Sequence, residues 1–299
     1  MTTIAHLSDV HFGRHDPEIV AAVETFLFER RPDLVVVSGD FTQRARIEQY
    51  QMASDWMDRI EGGGLVTLAV PGNHDVPLYD VVRRFARPLN RYKRFIDDDL
   101  CPWFEKDEVA VLGINTARSL TIKDGSISRE QIAMIRDRFR GVPNEKTKIL
   151  VTHHPLYAMP IGDEGELSKV VKRDQDALEA VAEAGVDILL AGHFHRTFAN
   201  SARDMVETAG AALVIQAGTA TSTRLRGDEL QSFNWLDLGK DTVELQVQRW
   251  DGSAFVGGRP TSFDYADGNW RFTGRKEGEG VPMELVAAKV EAADEASSG

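Results

Sequence analysis

Five stretches of this 299-residue chain run from apolar residues into side chains that bind cations or phosphate. They are IAHLSDVH (4–11), LVVVSGD (34–40), LVTLAVPGNHD (65–75), KILVTHH (148–154) and DILLAGHFH (187–195). His11, His74, His153, His154, His193 and His195 lie at their ends, and His6 and His15, close to the first, read as packing or rim residues. With Asp9, Asp40 and Asn73 the donors are imidazole nitrogen and carboxylate or amide oxygen, with no thiolate. Such a set suits Mn, Fe or Zn and does not choose among them. Two such cations roughly 3.5–4 Å apart would clamp the entering and leaving oxygens of an in-line displacement at phosphorus. Bound water ionises near pH ~7 at such an ion, so a nucleophile exists at neutral pH.

These side chains cooperate only if the fold gathers them on one edge. The first 75 residues alternate strand and helix. A strand over 4–9 is followed by a helix that starts at Asp16-Pro17, an N-cap followed by proline at the first helical position. That helix carries Ile19, Val20, Val23, Phe26 and Leu27 at helical spacing. A strand over 34–38, a helix over about 47–60 and the strand that turns at Pro71-Gly72 complete the series. Such alternation implies parallel strands with crossover helices, and ligands collect outside the carboxyl ends of such strands. Asp9/His11 and His193/His195 are i,i+2 pairs that share a side while the backbone stays extended. Gly39, Gly72 and Gly192 each precede a candidate ligand and allow a sharp bend. Asp75 reads as the cap of the helix after it.

Further along, strands are expected at 109–114, 148–152 and 187–191, with helices after the Ser128–Gln131 capping box and over about 174–184. Beyond 197 the texture is strands and turns, at 212–216, 232–238 and 242–248. The Gly-, Glu- and Ala-rich residues 275–299 read as a loose tail, which leaves 1–274 as one domain. Residues 77–105 interrupt the rhythm and read as a small helical cap of two short helices separated by Pro88. The run Arg83, Arg84, Arg87, Arg91, Lys93 and Arg94 reads either as a solvated face paired with Asp97–Asp99 or as a cap whose arginines receive a phosphate. Arg224 and Arg226 are candidates to join it. The neighbouring Phe85, Leu89, Phe95, Ile96, Trp103 and Phe104 read as the core of that cap, with an acyl-chain site as the alternative.

A net charge of −12 argues against a protein that coats nucleic acid. The single cysteine, Cys101, gives no internal disulfide, and the N-terminus has no signal-peptide pattern. No apolar run approaches the roughly 18–20 residues that span a bilayer. A soluble cytoplasmic protein is the expectation.

In this order, D-x-H, G-D, G-N-H-D, H-H-P and G-H-x-H resemble the calcineurin-like metallophosphoesterases, closest to the bacterial cyclic-nucleotide and glycerophosphodiester phosphodiesterases. The resemblance covers residues 4–195. It implies an α/β fold, a four-layer α-β-β-α sandwich of two mixed sheets flanked by helices, with residues 212–248 completing the second sheet. It also implies that Asp9, His11 and His195 hold one metal, that Asn73, His153 and His193 hold the other, and that Asp40 bridges them. His74 becomes the non-ligand histidine that faces the phosphate, as electrophile or acid. His154 becomes an outer partner of the metals or a substrate contact. Some branches read G-D-x-x-D-R, and here Gln43 stands where the second Asp would, which leaves His74 without a carboxylate partner. Arg44 stands at the Arg position as a phosphate contact, beside Arg84, Arg87 and Arg91 as substrate-binding candidates.

The leading expectation is a dinuclear phosphodiesterase for a small phosphodiester such as a 3',5'-cyclic nucleotide. The alternatives are a phosphomonoesterase, a UDP-diacylglucosamine-type pyrophosphohydrolase, or a scaffold that has lost catalysis. A small-molecule substrate, no stable nucleic-acid binding and a chain free to form oligomers complete the expectation.

Overall fold

The computed structural model describes residues 1–121, 124–158, 170–195, 197–201, 212–225 and 229–275. Arg226 and all but the first residue of the expected C-terminal tail lie outside them. The first half contains β1 (Thr2–Leu7), α1 (Pro17–Arg30), β2 (Leu34–Val37), α2 (Ile47–Gly62) and β3 (Thr67–Ala69). Then come α3 (Val81–Ala86), α4 (Asn90–Phe95), β4 (Trp103–Lys106), β5 (Val109–Ile114) and α5 (Arg129–Arg140). The second half contains β6 (Thr147–Thr152), α6 (Asp174–Ala184), β7 (Ile188–Ala191), β8 (Phe198–Ser201) and β9 (Leu213–Gln216). It ends with β10 (Ser232–Leu238), β11 (Thr242–Trp250), β12 (Phe255–Gly257), β13 (Thr261–Ala266) and β14 (Asn269–Arg275).

The strands form two mixed sheets. One runs β14-β13-β11-β10-β1-β2-β3 with β12 on β11, and the other runs β4-β5-β6-β7-β9-β8. The pairs β1–β2, β2–β3, β5–β6, β6–β7 and β7–β9 are parallel. Strand alternation explains the layering. Ile4, Leu34 and Val36 of one sheet meet Val111, Ile149, Leu190 and Ile215 of the other in the central core. The residues between them, such as Leu7, Val35 and Val37, face α1 and α2. Their counterparts Leu112, Leu150 and Leu189 face α5 and α6. Both faces of the central strands are buried, so they read as continuous apolar runs instead of alternating ones. The result is the four-layer sandwich.

The caps hold as expected. Asp16 accepts from the Glu18 amide at 2.9 Å, and Ser128 and Gln131 exchange hydrogen bonds across the first turn of α5. Two expectations are corrected. Residues 212–248 do not complete one sheet: β9 pairs with β7, while β10 and β11 extend the other sheet from β1. The apolar residues near the basic run do not form one cap core. Leu89, Phe95 and Ile96 pack on the α1/α2 layer, Trp103 on the α5/α6 layer and Phe104 on the central core, while Phe85 is exposed.

Candidate metal centre

The parallel strands of both sheets end at one rim, and the loops after them are tied together. The Asp9 amide donates to the Gly39 carbonyl, the His11 amide to the Asp40 carbonyl and the Gly192 amide to the His153 carbonyl. Asp9, His11, Asp40, His193 and His195 have φ of 53°, 51°, 56°, 80° and 57°. A non-glycine residue in this left-handed region costs on the order of 1–3 kcal/mol and persists where its surroundings fix it. The i,i+2 pairs therefore converge through left-handed turns and not, as expected, through extended backbone. Close approach explains two glycines. A Cβ at Gly39 would lie 2.6 Å from His153 Nδ1, and one at Gly72 would lie 2.1 Å from Asp40 Oδ1.

Two groups of donor atoms result. In the first, His11 Nε2 lies 3.3 Å from His195 Nε2 and 3.5 Å from Asp9 Oδ1, and His195 Nε2 lies 3.1 Å from Asp9 Oδ1. In the second, Asn73 Oδ1 lies 3.1 Å from His153 Nε2 and 3.0 Å from His193 Nδ1. Asp40 Oδ2 stands between them, 3.8 Å from His11 Nε2 and 3.5 Å from His153 Nε2. Bonds from a divalent metal to nitrogen or oxygen are about 2.0–2.2 Å, so two donors on one ion sit roughly 3.0–3.5 Å apart. The observed separations fit that geometry.

The outer partners also suit cations. Asp9 turns Oδ2 to the Ser8 hydroxyl at 2.6 Å and the His193 amide at 3.0 Å, which leaves Oδ1 buried without a hydrogen-bond donor. Asp40 gives Oδ1 to the His74 amide at 2.8 Å. His153 Nδ1 donates to the Ser38 carbonyl at 2.7 Å, so its Nε2 lone pair faces the cluster. Such outer partners fix ring orientation at metal sites. Burial, reinforced by His153, lowers the His193 pKa to about 3, so this ring is neutral at pH 7 with its lone pair available. Burial alone would raise the Asp9 and Asp40 carboxyls. His195 and His11 hold Asp9 well below its ordinary value, and His153, His74 and His11 hold Asp40 below. A pair of divalent cations matches this nitrogen and oxygen set.

His74 reaches the same place from a 3-10 turn over Asn73–Asp75, its ring 4.9 Å from that of His11. His74 Nδ1 lies 2.8 Å from the Gln43 carbonyl, so Nδ1 carries a proton and Nε2 is left for the cluster. The Gln43 amide nitrogen is 3.2 Å from the same Nδ1, while its oxygen is buried without a partner. The isosteric amide orientation turns the oxygen toward Nδ1 as an acceptor. The missing carboxylate is thus replaced by two neutral acceptors.

Asp75 does not cap α3, whose cap is Asp80, accepting from the Arg83 amide. The Asp75 side chain is fully buried and accepts from the amides of Gly72 (2.9 Å), Phe41 (3.2 Å) and Thr42 (2.9 Å). It ties the loop bearing Asp40 to the loop bearing Asn73. Burial, with Asp40 nearby, pushes its pKa up to about 7, and these amide donors oppose the rise.

The other expected substrate residues divide. Arg44 is exposed, its guanidinium 5.6 Å from the Tyr79 ring. His154 adjoins the second donor group, its ring 4.7 Å from His193 and its Nδ1 2.8 Å from the Thr116 hydroxyl. Arg87 and Arg224 are exposed. Arg84 turns inward and donates to the carbonyls of Ser119, Pro77 and Thr121, and Arg91 donates to the Ala45 carbonyl at 2.5 Å. Three backbone carbonyls take up Arg84, which corrects it from a phosphate contact to a structural tie, while Arg91 gives one N–H to a carbonyl and leaves its Nε without a partner. His6 is buried on Ser38, and His15 packs on Phe12. Sequence reasoning missed Thr219 and Thr221, whose hydroxyls donate to the Asp9 and Val10 carbonyls and brace the first loop. No periodic signal marks them.

Residues 2–197 match the family described as calcineurin-like phosphoesterase. The chain belongs to that family. It is a metal-dependent phosphoester hydrolase. Over 212 residues the phosphoesterase is 31% identical to the glycerophosphodiester phosphodiesterase GpdQ of Enterobacter lignolyticus, covering 64% of this chain and 70% of that one. Over 207 residues it is 25% identical to a probable cyclic nucleotide phosphodiesterase of Synechococcus sp., covering 66% and 74%. Among solved structures its fold is similar to that of a dimetal phosphatase from Danio rerio, with a TM-score of 0.60 and 13% identity over 86% of this chain and 98% of that one. It is also similar to a purple acid phosphatase from yellow lupin, with a TM-score of 0.65 and 14% identity over 87% and 53%. No helix among the described residues of the phosphoesterase is long and apolar enough to cross a membrane.

Proposed function

We propose that the chain is a cytoplasmic phosphodiesterase that hydrolyses small phosphodiesters, with a 3',5'-cyclic nucleotide or a glycerophosphodiester as the substrate class. The observation that carries this reading is Asp40 Oδ2 standing between the two donor groups. Asp9, His11 and His195 would hold one divalent cation, Asn73, His153 and His193 would hold the other, and Asp40 would serve both. Mn, Fe and Zn all suit these donors. When bound, such a pair supplies a hydroxide nucleophile at neutral pH and neutralises charge at phosphorus. His74 keeps its ring oriented through Nδ1–H and Gln43, and as the imidazolium it delivers its Nε2 proton to the leaving oxygen and is left as the neutral Nδ1–H ring, a role worth about 10²–10⁴-fold. Arg44 and Arg87 face the phosphate from the rim, and His154 orients His193 or the substrate. The named activities of the two bacterial relatives support a diester over a monoester.

The test strips the protein of metal, restores Mn, Fe or Zn, and measures bis(p-nitrophenyl) phosphate, p-nitrophenyl phosphate, cyclic AMP, a glycerophosphodiester and a UDP-lipid in parallel. Faster turnover of the diesters is expected. Preference for the monoester or the UDP-lipid moves the reading to a phosphomonoesterase or pyrophosphohydrolase. Fewer than about one metal per chain after reconstitution points to a non-catalytic scaffold, since two-metal chemistry needs both ions.

A further inference from the structure

The short helix α3 is built inside out. Its cation Arg84 is buried and clamps the carbonyls of Pro77, Ser119 and Thr121, while its apolar residues Val81, Val82 and Phe85 face solvent. The clamp also holds residues 119–121 beside the helix, and there Leu120 is 86% exposed. Tyr79 at 73% and Val82 at 80% exposure lie on the same short segment. Single exposed apolar residues are ordinary, but a contiguous group of this kind marks a contact surface.

Its surroundings specify the contact. Residues 78–94 carry six cationic side chains and one acidic one on a chain of net charge −12. With Arg84 and Arg91 turned inward and Arg87 assigned to the substrate, Lys93 and Arg94 remain exposed further along the same segment. A two-fold contact with a second copy would set this cationic patch against itself. An anionic bilayer offers hydrocarbon to the apolar residues and negative headgroups to the cations. The acidic remainder of the surface would be repelled, which orients the molecule. We infer that the patch formed by residues 78–85 and Leu120 docks on an anionic lipid surface. Tyr79 lies against Arg44, next to the Gln43 that holds His74, so docking places the metal rim close to the headgroups.

The test is co-sedimentation of the full chain with phosphatidylcholine vesicles containing roughly 30% phosphatidylglycerol, and with vesicles of phosphatidylcholine alone. Binding to the anionic vesicles, weakened by salt, is expected. The Val82→Asp/Phe85→Asp double variant is expected to reduce it by about tenfold or more, and Lys93→Glu/Arg94→Glu by about fivefold or more. Both variants change exposed side chains and should keep the thermal midpoint and the hydrolysis of bis(p-nitrophenyl) phosphate. Equal binding to both vesicle types, no binding, or undiminished binding by the apolar variant overturns the inference. So does light scattering that shows a dimer split by Val82→Asp/Phe85→Asp, which would make the patch a subunit interface. Vesicle binding needs no turnover, so it stands or falls separately from the proposed reaction.

Discussion

The strand ends at the rim and the helical segment at 81–95 both concentrate side chains suited to a phosphate, yet they use them in opposite directions. At the rim, Asp9, His11, Asp40, His193 and His195 sit in left-handed turns tied by backbone hydrogen bonds, so the main chain itself directs them inward. In the helical segment, Arg84 and Arg91 are drawn to backbone carbonyls and the apolar residues of α3 are left outside. A side chain in the loop after a strand takes its direction from a main chain held in place by hydrogen bonds between loops. One on a two-turn helix takes whatever direction its packing leaves, because the helix is too short to impose a face of its own.

The largest way to break this contrast is Asp40→Ala. It removes the oxygen common to both donor groups, and the loss of metal and of diester hydrolysis should exceed the roughly 100-fold typical of losing an outer partner. Metal analysis and steady-state kinetics on the same preparation check it. Next, His74→Ala should lower kcat by about 10²–10⁴-fold while bound metal stays at the wild-type level. Asp75→Asn should weaken metal affinity by roughly 10–100-fold, since an amide nitrogen would confront the Gly72, Phe41 or Thr42 donors. A metal titration reads this directly.

The arginines sharpen the other side. Arg84→Ala leaves three carbonyls without their donor and should cost about 1–3 kcal/mol of stability, seen in chemical denaturation, with kcat little changed. A fall in kcat/KM without loss of stability would return Arg84 to the substrate. The smallest effect concerns Ala45, held at φ 50° where a glycine carries no Cβ penalty. Ala45→Gly should change stability by less than about 0.5 kcal/mol, because the left-handed strain relieved is offset by the entropy of the added glycine and the loss of a buried methyl group.

The ligand candidates were legible in the sequence because apolar runs ending in Asp, Asn or His report both a strand and what lies beyond it. The caps at Asp16 and Ser128 were legible because they are local. Asp75 was misread for the same reason: a carboxylate just ahead of a helix looks like a cap, and its real partners at 41 and 42 are more than thirty positions away. The split of 212–248 between the two sheets and the bracing by Thr219 and Thr221 were likewise invisible, since pairing partners are set by topology.

What the sequence determined by itself was the alternation of strand and helix and the supply of nitrogen and oxygen donors at strand ends, because both follow from patterns within a few residues. Only the tertiary structure decided which donors share a carboxylate oxygen, which arginines are spent on carbonyls, and that α3 shows its apolar side to solvent. Those outcomes depend on hydrogen bonds and packing between segments far apart in the chain, whose partners compete for the same polar groups only after the two sheets have closed on each other.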